Sequence, residues 1–215
     1  MTNNVENYQA AIYLTNLGKY NEGALVGQWL NVPCTNEEFK QALLNIGVDG
    51  VEYEEYFITD YEYLKGISEY SNIEEVNEIA VLSKTIEDIV SNTIGNEYNV
   101  FDSDKDFIRN SLYDRASHLK QYDNLTQDEI IEELESYTIF TEHSNENCNA
   151  LESYGYYLLE ELDVLSYSEL DQEVKNFLDV EKIGFEYLIN QYIEVIDTNK
   201  VGNRSDHYSV IIVQI

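Results

Sequence analysis

From Gln9 to Glu38 the chain reads QAAIYLTNLGKYNEGALVGQWLNVPCTNEE, and the reading of this stretch decides the fold. Ala11, Ile12, Tyr13 and Leu14 form an apolar run within Gln9 to Asn16 and predict a first strand. Gly18 and Gly23 bracket a polar turn through Lys19, Tyr20, Asn21 and Glu22. Leu25 to Val32 returns to apolar and aromatic residues as a second strand, and Pro33, the only proline, ends it. Trp29 in that strand is expected in the core. Thr35 and Glu38 form a capping box, in which each side chain satisfies an amide at the start of a helix. Phe39, Ala42, Leu43 and Ile46 then share one helical face, and Gly47 and Gly50 stop the helix. Tyr56, Phe57, Ile58 and Tyr61 predict a third strand within Glu54 to Tyr63. Three strands and one helix thus make a small α+β unit ending near Gly66.

Beyond it the period changes to helical. Ser71 and Glu74 read as a second capping box, with Ile73, Val76, Ile79 and Ala80 behind it. Ile86, Ile89, Val90 and Ile94 continue the apolar face as far as Gly95. Phe107, Ile108, Leu112, Arg115, Ala116 and Leu119 mark another helix, and Thr126 with Glu129 caps a third before Ile130, Ile131 and Leu134. Tyr137 to Thr141 reads as a strand. Leu151, Tyr154, Leu158 and Leu162 resume helical spacing, as do Leu170, Val174, Phe177 and Leu178. Tyr208 to Ile215 is a β-branched strand, with Tyr192 to Ile196 as its expected partner. The expected organisation is α+β and elongated, in three small modules. These are an N-terminal three-stranded sheet with a helix (1–66), a central helical acidic module (67–136) and a C-terminal α+β module (137–215).

The chain has 215 residues, with 42 Asp and Glu against 12 Lys and Arg, a formal net charge of -30. Such a chain does not bind nucleic acid or an anionic membrane through a basic patch. Nor is it a disordered acidic tail, because 43% of its residues are apolar and 19 are Tyr. Thirty charges match those on about 50 Å of duplex DNA, or on the order of 15 base pairs. Spread over a compact sphere of roughly 10,000 Å² they would be too thin to imitate a duplex. A DNA-like surface therefore needs an elongated or one-sided scaffold. Residues 1 to 50 hold five acids and two bases, so the acidic excess builds up from Glu52 onward. A general salt-tolerant coating would be even.

Catalytic and targeting signals are missing. No apolar run reaches the length of a membrane span, and the N-terminus lacks the pattern of a secretion signal. Cys34 and Cys148 are far apart and are expected to be free thiols of a cytosolic protein. The acceptor tripeptides at Asn124 and Asn203 are then given no weight. His118, His143 and His207 lie at no metal-chelating spacing. Asp102, Asp104 and Asp106 resemble the opening of a calcium loop, but Phe107 and Tyr113 stand where it needs Gly and Glu. No metal, cofactor or enzymatic activity is expected. A carboxylate-dependent hydrolase is the enzymatic alternative.

The carboxylates carry the functional signal. Asp128, Glu129, Glu132, Glu133 and Glu135 share one short helix, with like charges four residues apart. A pair at that spacing destabilises a helix by about 0.2–0.5 kcal/mol. Glu74, Glu75 and Glu78 repeat the pattern, with Glu87 and Asp88 further along, and Glu160, Glu161 and Asp163 cluster similarly. Glu52, Glu54 and Glu55 alternate with Tyr53 and Tyr56, and Asp60 and Glu62 with Tyr61 and Tyr63. In a strand one parity faces the core, so most of these rings are expected to pack, and some to offer Arg a stacking surface. Repulsion with so few cations placed to relieve it points to carboxylates positioned for a basic partner. Two such partners fit: a DNA-binding protein whose channel the chain occupies as a DNA mimic, or another host DNA-binding system blocked through a local acidic patch. The second would be the work of an anti-CRISPR or a nucleoid-protein antagonist.

Asn16-Leu17-Gly18-Lys19-Tyr20-Asn21-Glu22-Gly23 and Leu25-Val26-Gly27-Gln28-Trp29-Leu30 resemble the opening of the ArdA family of antirestriction proteins. Tyr53-Glu54-Glu55-Tyr56, Asp60-Tyr61-Glu62 and Ile73 to Ile79 extend the likeness. Tyr157-Leu158-Leu159-Glu160-Glu161 and Phe177-Leu178-Asp179 are similar to that family's acidic segment and the motif after it. The resemblance is poor from about 95 to 150, Phe185 stands near an expected Arg, and no proline follows Leu162. It implies an elongated homodimer joined through the C-terminal module, in the cytoplasm of a bacterial host and carried by a mobile element. It also implies carboxylates that imitate DNA phosphates in the channel of type I restriction–modification enzymes.

Overall fold

A computed structural model describes residues 9–94, 102–141, 149–200 and 208–214. Gly95, His143, Cys148, Asn203 and His207 lie outside the described residues. The fold is α+β, with two three-stranded antiparallel sheets. The chain divides between Thr85 and Ile86 into two compact units.

The first unit is built on β1 (Ala11–Asn16), α1 (Leu17–Asn21), β2 (Gly27–Asn31), α2 (Asn36–Asn45) and β3 (Tyr56–Glu62), followed by the start of α3 (Ile73–Ile94). Its sheet has the order β2-β1-β3. Ile12 and Leu14 of β1 are fully buried and pack with Ala42 and Ile46 of α2 and with Val76 and Ala80 of α3. The opposite parity of β1 carries Tyr13, which pairs with Trp29 across the strands. Trp29 is therefore not in the core. It is 44% exposed and meets Tyr13 edge-on at 5.3 Å between ring centres.

The turn expected at Gly18 to Gly23 is wound into one short helix. Asn16 is fully buried; its Oδ1 accepts from the Lys19 amide (2.9 Å), and its Nδ2 donates to the Ile46 carbonyl (3.1 Å). One side chain thus starts α1 and ties it to the end of α2. The Thr35–Glu38 capping box is formed as expected. The one expected at Ser71 and Glu74 is not. Asn72 caps α3 instead, accepting from the Glu75 amide (2.8 Å), while the Ser71 hydroxyl is engaged with Ser68. An Asn one position later reaches the third helical amide, so the cap moves by one residue. Tyr53 and Tyr56 are half-buried, but Asp60, Tyr61, Glu62 and Tyr63 are all exposed. The alternation fails there because β3 is an edge strand whose register slips opposite Tyr13 and Leu14.

The second unit holds α4 (Asp102–His118) with a π-helical turn (Leu119–Asp123), α5 (Gln127–Glu135), β4 (Tyr137–Thr141) and α6 (Ala150–Glu160). A 3-10 segment (Val164–Glu169), α7 (Gln172–Lys175), α8 (Val180–Ile189), β5 (Glu194–Lys200) and β6 (Tyr208–Gln214) complete it. The sheet order is β4-β6-β5, and Tyr208 to Val213 of the central strand are buried without a break. Leu151, Tyr154 and Leu158 of α6 pack with Leu188 of α8 and with Ile211 and Val213 of β6. Asp104, the middle acid of the apparent calcium loop, is a buried structural group in the first turns of α4. It accepts from Ser209 Oγ (2.9 Å) and Asn199 Nδ2 (3.1 Å). Ser111 of the same helix donates to Asp197 (2.6 Å), so α4 is joined to β5 and β6 by polar links.

Two expectations fail in this unit. The apolar spacing from Leu170 to Leu178 makes only the single turn α7, and Phe177 is 89% exposed. Asp179 enters an extended conformation to cap α8, accepting from the Lys182 amide (3.0 Å), and this ends helical geometry before it. The helix α8 itself is unforeseen, and β5 begins two residues later than Tyr192. Helices α6 and α8 cross at two glycines. A Cβ on Gly155 would lie 2.2 Å from the Val180 carbonyl oxygen, and one on Gly184 2.3 Å from that of Leu151. Gly155→Ala is therefore expected to lower the unfolding free energy by about 1–3 kcal/mol, read by urea denaturation; an unchanged midpoint would refute the close crossing.

Candidate functional site

Among the described residues the carboxylates singled out from the sequence lie mostly at the surface, and the candidate site is that acidic surface, built element by element. Of the eighteen carboxylates singled out from the sequence, sixteen are exposed, and Glu87 and Glu133 are half-buried. In the first unit, Glu52, Glu54 and Glu55 lie in the segment that enters β3, and Asp60 and Glu62 lie on β3. Glu74, Glu75 and Glu78 occupy the first turns of α3. Burial of Ile73, Val76 and Ala80 on the other face of that helix fixes their outward direction.

Glu74 and Glu75, in a first turn, sit where the helix dipole favours negative charge. Tyr53 is held by Glu22, whose carboxylate oxygens accept from its hydroxyl (3.0 and 3.1 Å). Lys19 lies over the same ring and also pairs with Glu22 (3.2 Å).

In the second unit, α5 shows how the surface is made. Ile130 and Leu134 are buried, and this turns Asp128, Glu132 and Glu135 to solvent. Glu129 is exposed but engaged: its carboxylate accepts from the Thr126 amide (2.8 Å) and hydroxyl (2.7 Å). Those bonds, the amide first, hold its carboxyl below the ordinary range. Glu160 closes α6, and Glu161 and Asp163 follow it. No basic residue stands in the last turn of α5 or α6. A negative charge there opposes the helix dipole by about 0.3–1 kcal/mol. Asp163, with a positive φ of 48°, accepts from the Ser168 amide (2.6 Å) and hydroxyl (3.0 Å).

Two of the expected surface acids are instead internal partners of arginine. Arg109 meets both carboxylate oxygens of Glu87, with Nη2 to Oε2 at 3.0 Å, and also Asp106 (2.7 Å). The Glu87 bonds raise the guanidinium above its ordinary value, against the effect of burial. Arg115 donates to the Tyr137 hydroxyl (2.9 Å) and to Glu133 (3.3 Å), and Glu194 stands 3.8 Å away. Burial pushes the Tyr137 phenol up to about 12, although Arg115 draws it down. The sequence carries no local sign of either pair, because the partners lie 22 and 18 residues apart.

Among the described residues, no three His, Cys, Asp or Glu side chains converge as metal ligands. No helix among them is long and apolar enough to cross a membrane. Burial raises the thiol of Cys34, with Glu38 adding to the effect.

Residues 12–201 match the family of antirestriction proteins called ArdA. The matched span includes the stretch from 95 to 150. No curated protein matches the chain.

The two classes of acid should separate on substitution. Glu133→Ala removes a partner of the half-buried Arg115 and is expected to lower stability by about 1–2 kcal/mol. Glu132→Ala, on the outer face, is expected to change it by less than about 0.5 kcal/mol. Chemical denaturation measures both; equal losses would show that the two side chains share one environment.

Proposed function

The chain belongs to the ArdA antirestriction family, and from that premise we propose that it works as a DNA mimic in the DNA-binding channel of type I restriction–modification enzymes. Membership of the family implies antirestriction activity and an interaction with restriction enzymes. The finer reading rests on one observation. The described surface of both units displays carboxylates in like-charged groups, while Arg109 and Arg115 are drawn inward to Glu87 and Glu133. The basic side chains that line a DNA channel would meet an exterior dominated by acid.

In this reading Glu52, Glu54, Glu55, Asp60, Glu62, Glu74, Glu75 and Glu78 act as phosphate substitutes in the first unit. Asp88, Asp128, Glu129, Glu132, Glu135, Glu160, Glu161 and Asp163 do so in the second. Glu87 and Glu133 hold the scaffold. The chain acts by competition and performs no chemistry of its own, in the cytoplasm of a bacterial host. The reading includes three modules divided near 66 and 136, the last of which joins two copies. Two chains at -30 each match the charge on about 100 Å of duplex, on the order of 30 base pairs. That length suits a large multi-subunit reader of DNA.

Charge pairing makes inhibition sensitive to salt. Potency against a type I enzyme is expected to fall at least ~10-fold between about 50 and about 200 mM salt. Equal potency across that range would point to an apolar interface instead. The load is also shared. One exposed ion pair is worth about 0.2–1 kcal/mol, so a single Asp→Asn or Glu→Gln change should alter potency about fivefold or less. The triple change Asp128→Asn, Glu132→Gln and Glu135→Gln should cost more than any one of them, between about 3-fold and about 150-fold. Abolition of activity by one exposed carboxylate would contradict distributed mimicry.

A further inference from the structure

The open face of the N-terminal sheet carries a groove that the carboxylate surface does not explain. It has a volume of about 580 Å³, within the range of about 300–1,000 Å³ common for small-ligand sites. Four rings line it in two edge-on pairs, Tyr13 with Trp29 and Tyr20 with Phe57, the latter 5.2 Å apart. Thr15 and Thr59 sit among them with their hydroxyls 2.8 Å apart. The floor needs Gly27, because a Cβ there would stand 2.5 Å from the Tyr13 ring and 2.6 Å from the Leu14 carbonyl oxygen. Leu25, which also lines the groove, is 85% exposed and so within reach of an entering group.

The charges choose the occupant. Among the groove's lining residues, the charged ones are Asp60 and Glu69, both exposed carboxylates. The Ile58 amide donates to the Glu69 carbonyl (2.9 Å) and so fixes the Glu69 backbone beside β3. Aromatic walls, hydroxyl acceptors and acids of one sign are complementary to a planar cation. A guanidinium fits better than an ammonium, since it stacks on rings, is more weakly hydrated, and offers forked donors to carboxylates.

We propose that this groove receives an arginine side chain from a basic segment of the partner protein. It would be a specific anchor beside the distributed carboxylate contacts. The inference deepens the proposed function and rests on it only for who the partner is.

Trp29 is the chain's single tryptophan and lines the groove, so its fluorescence reads occupancy without any restriction assay. The full-length protein is titrated with an end-capped tripeptide carrying one central arginine, and with its lysine counterpart. A saturable Trp29 response to the arginine probe is expected, with the lysine probe at least ~10-fold weaker. Asp60→Asn with Glu69→Gln should weaken the arginine response at least ~10-fold, and Leu25→Lys, which brings a cation to the groove, should do the same. The α5 triple variant should titrate like the wild type. No saturable response, equal responses to both probes, or an equal loss in the α5 variant would overturn the proposal. The readout is separate from inhibition of restriction. A failure of the mimic reading with a selective Trp29 response, or the reverse, identifies which of the two is wrong.

Discussion

Forty-two carboxylates and twelve basic side chains must be carried by one fold, and the resulting repulsion constrains every element. The chain meets it by separating faces. The helices turn an apolar face inward, such as Ile130 and Leu134 on α5 or Leu151, Tyr154 and Leu158 on α6. Acids are kept for the outer face. Where a carboxylate comes close to the interior it is given a partner at once: Glu87 and Glu133 have arginines, and Asp104 has two donors. A buried acid without such partners would be prohibitively costly. The two half-buried arginines are thereby engaged by carboxylates, so neither offers a free positive charge against the acidic exterior.

Part of the surface charge does not serve stability. Like charges four residues apart on α5, and acids at the end of α6 with no base in its last turn, act against the helices that carry them. Local rules broken without an evident structural gain are characteristic of residues held for a partner. Glu74 and Glu75 show the contrast, since the dipole of α3 favours them where they are. The open face of the first sheet is a different surface, aromatic and concave, with Asp60 and Glu69 at its walls.

Much of this was legible in the sequence, and the failures have physical causes. The strands at 11–16 and 208–214 and the capping boxes at Thr35 and Thr126 followed from local pattern, because short-range hydrogen bonds and side-chain parity fix them. The cap at Ser71 moved because Asn72 competes for the same amides. Trp29 departs from the core position its apolar character suggests, because that character does not tell which face of a sheet a strand residue occupies; its pairing with Tyr13 does. Helix α8 packs through Ile183 and Leu188 and through the close approach at Gly155 and Gly184, a contact between segments that only the fold brings together. Sixteen of the eighteen candidate carboxylates are exposed. Glu87 and Glu133 are not, because the arginines that hold them are brought near only by the fold.

The central claim is that this chain takes the place of DNA. It is tested most directly by equilibrium binding of the purified protein and a labelled recognition-site duplex to one type I methyltransferase core. The account predicts mutual exclusion: saturating protein releases all of the duplex, and saturating duplex releases all of the protein. A ternary complex holding both at once would contradict it.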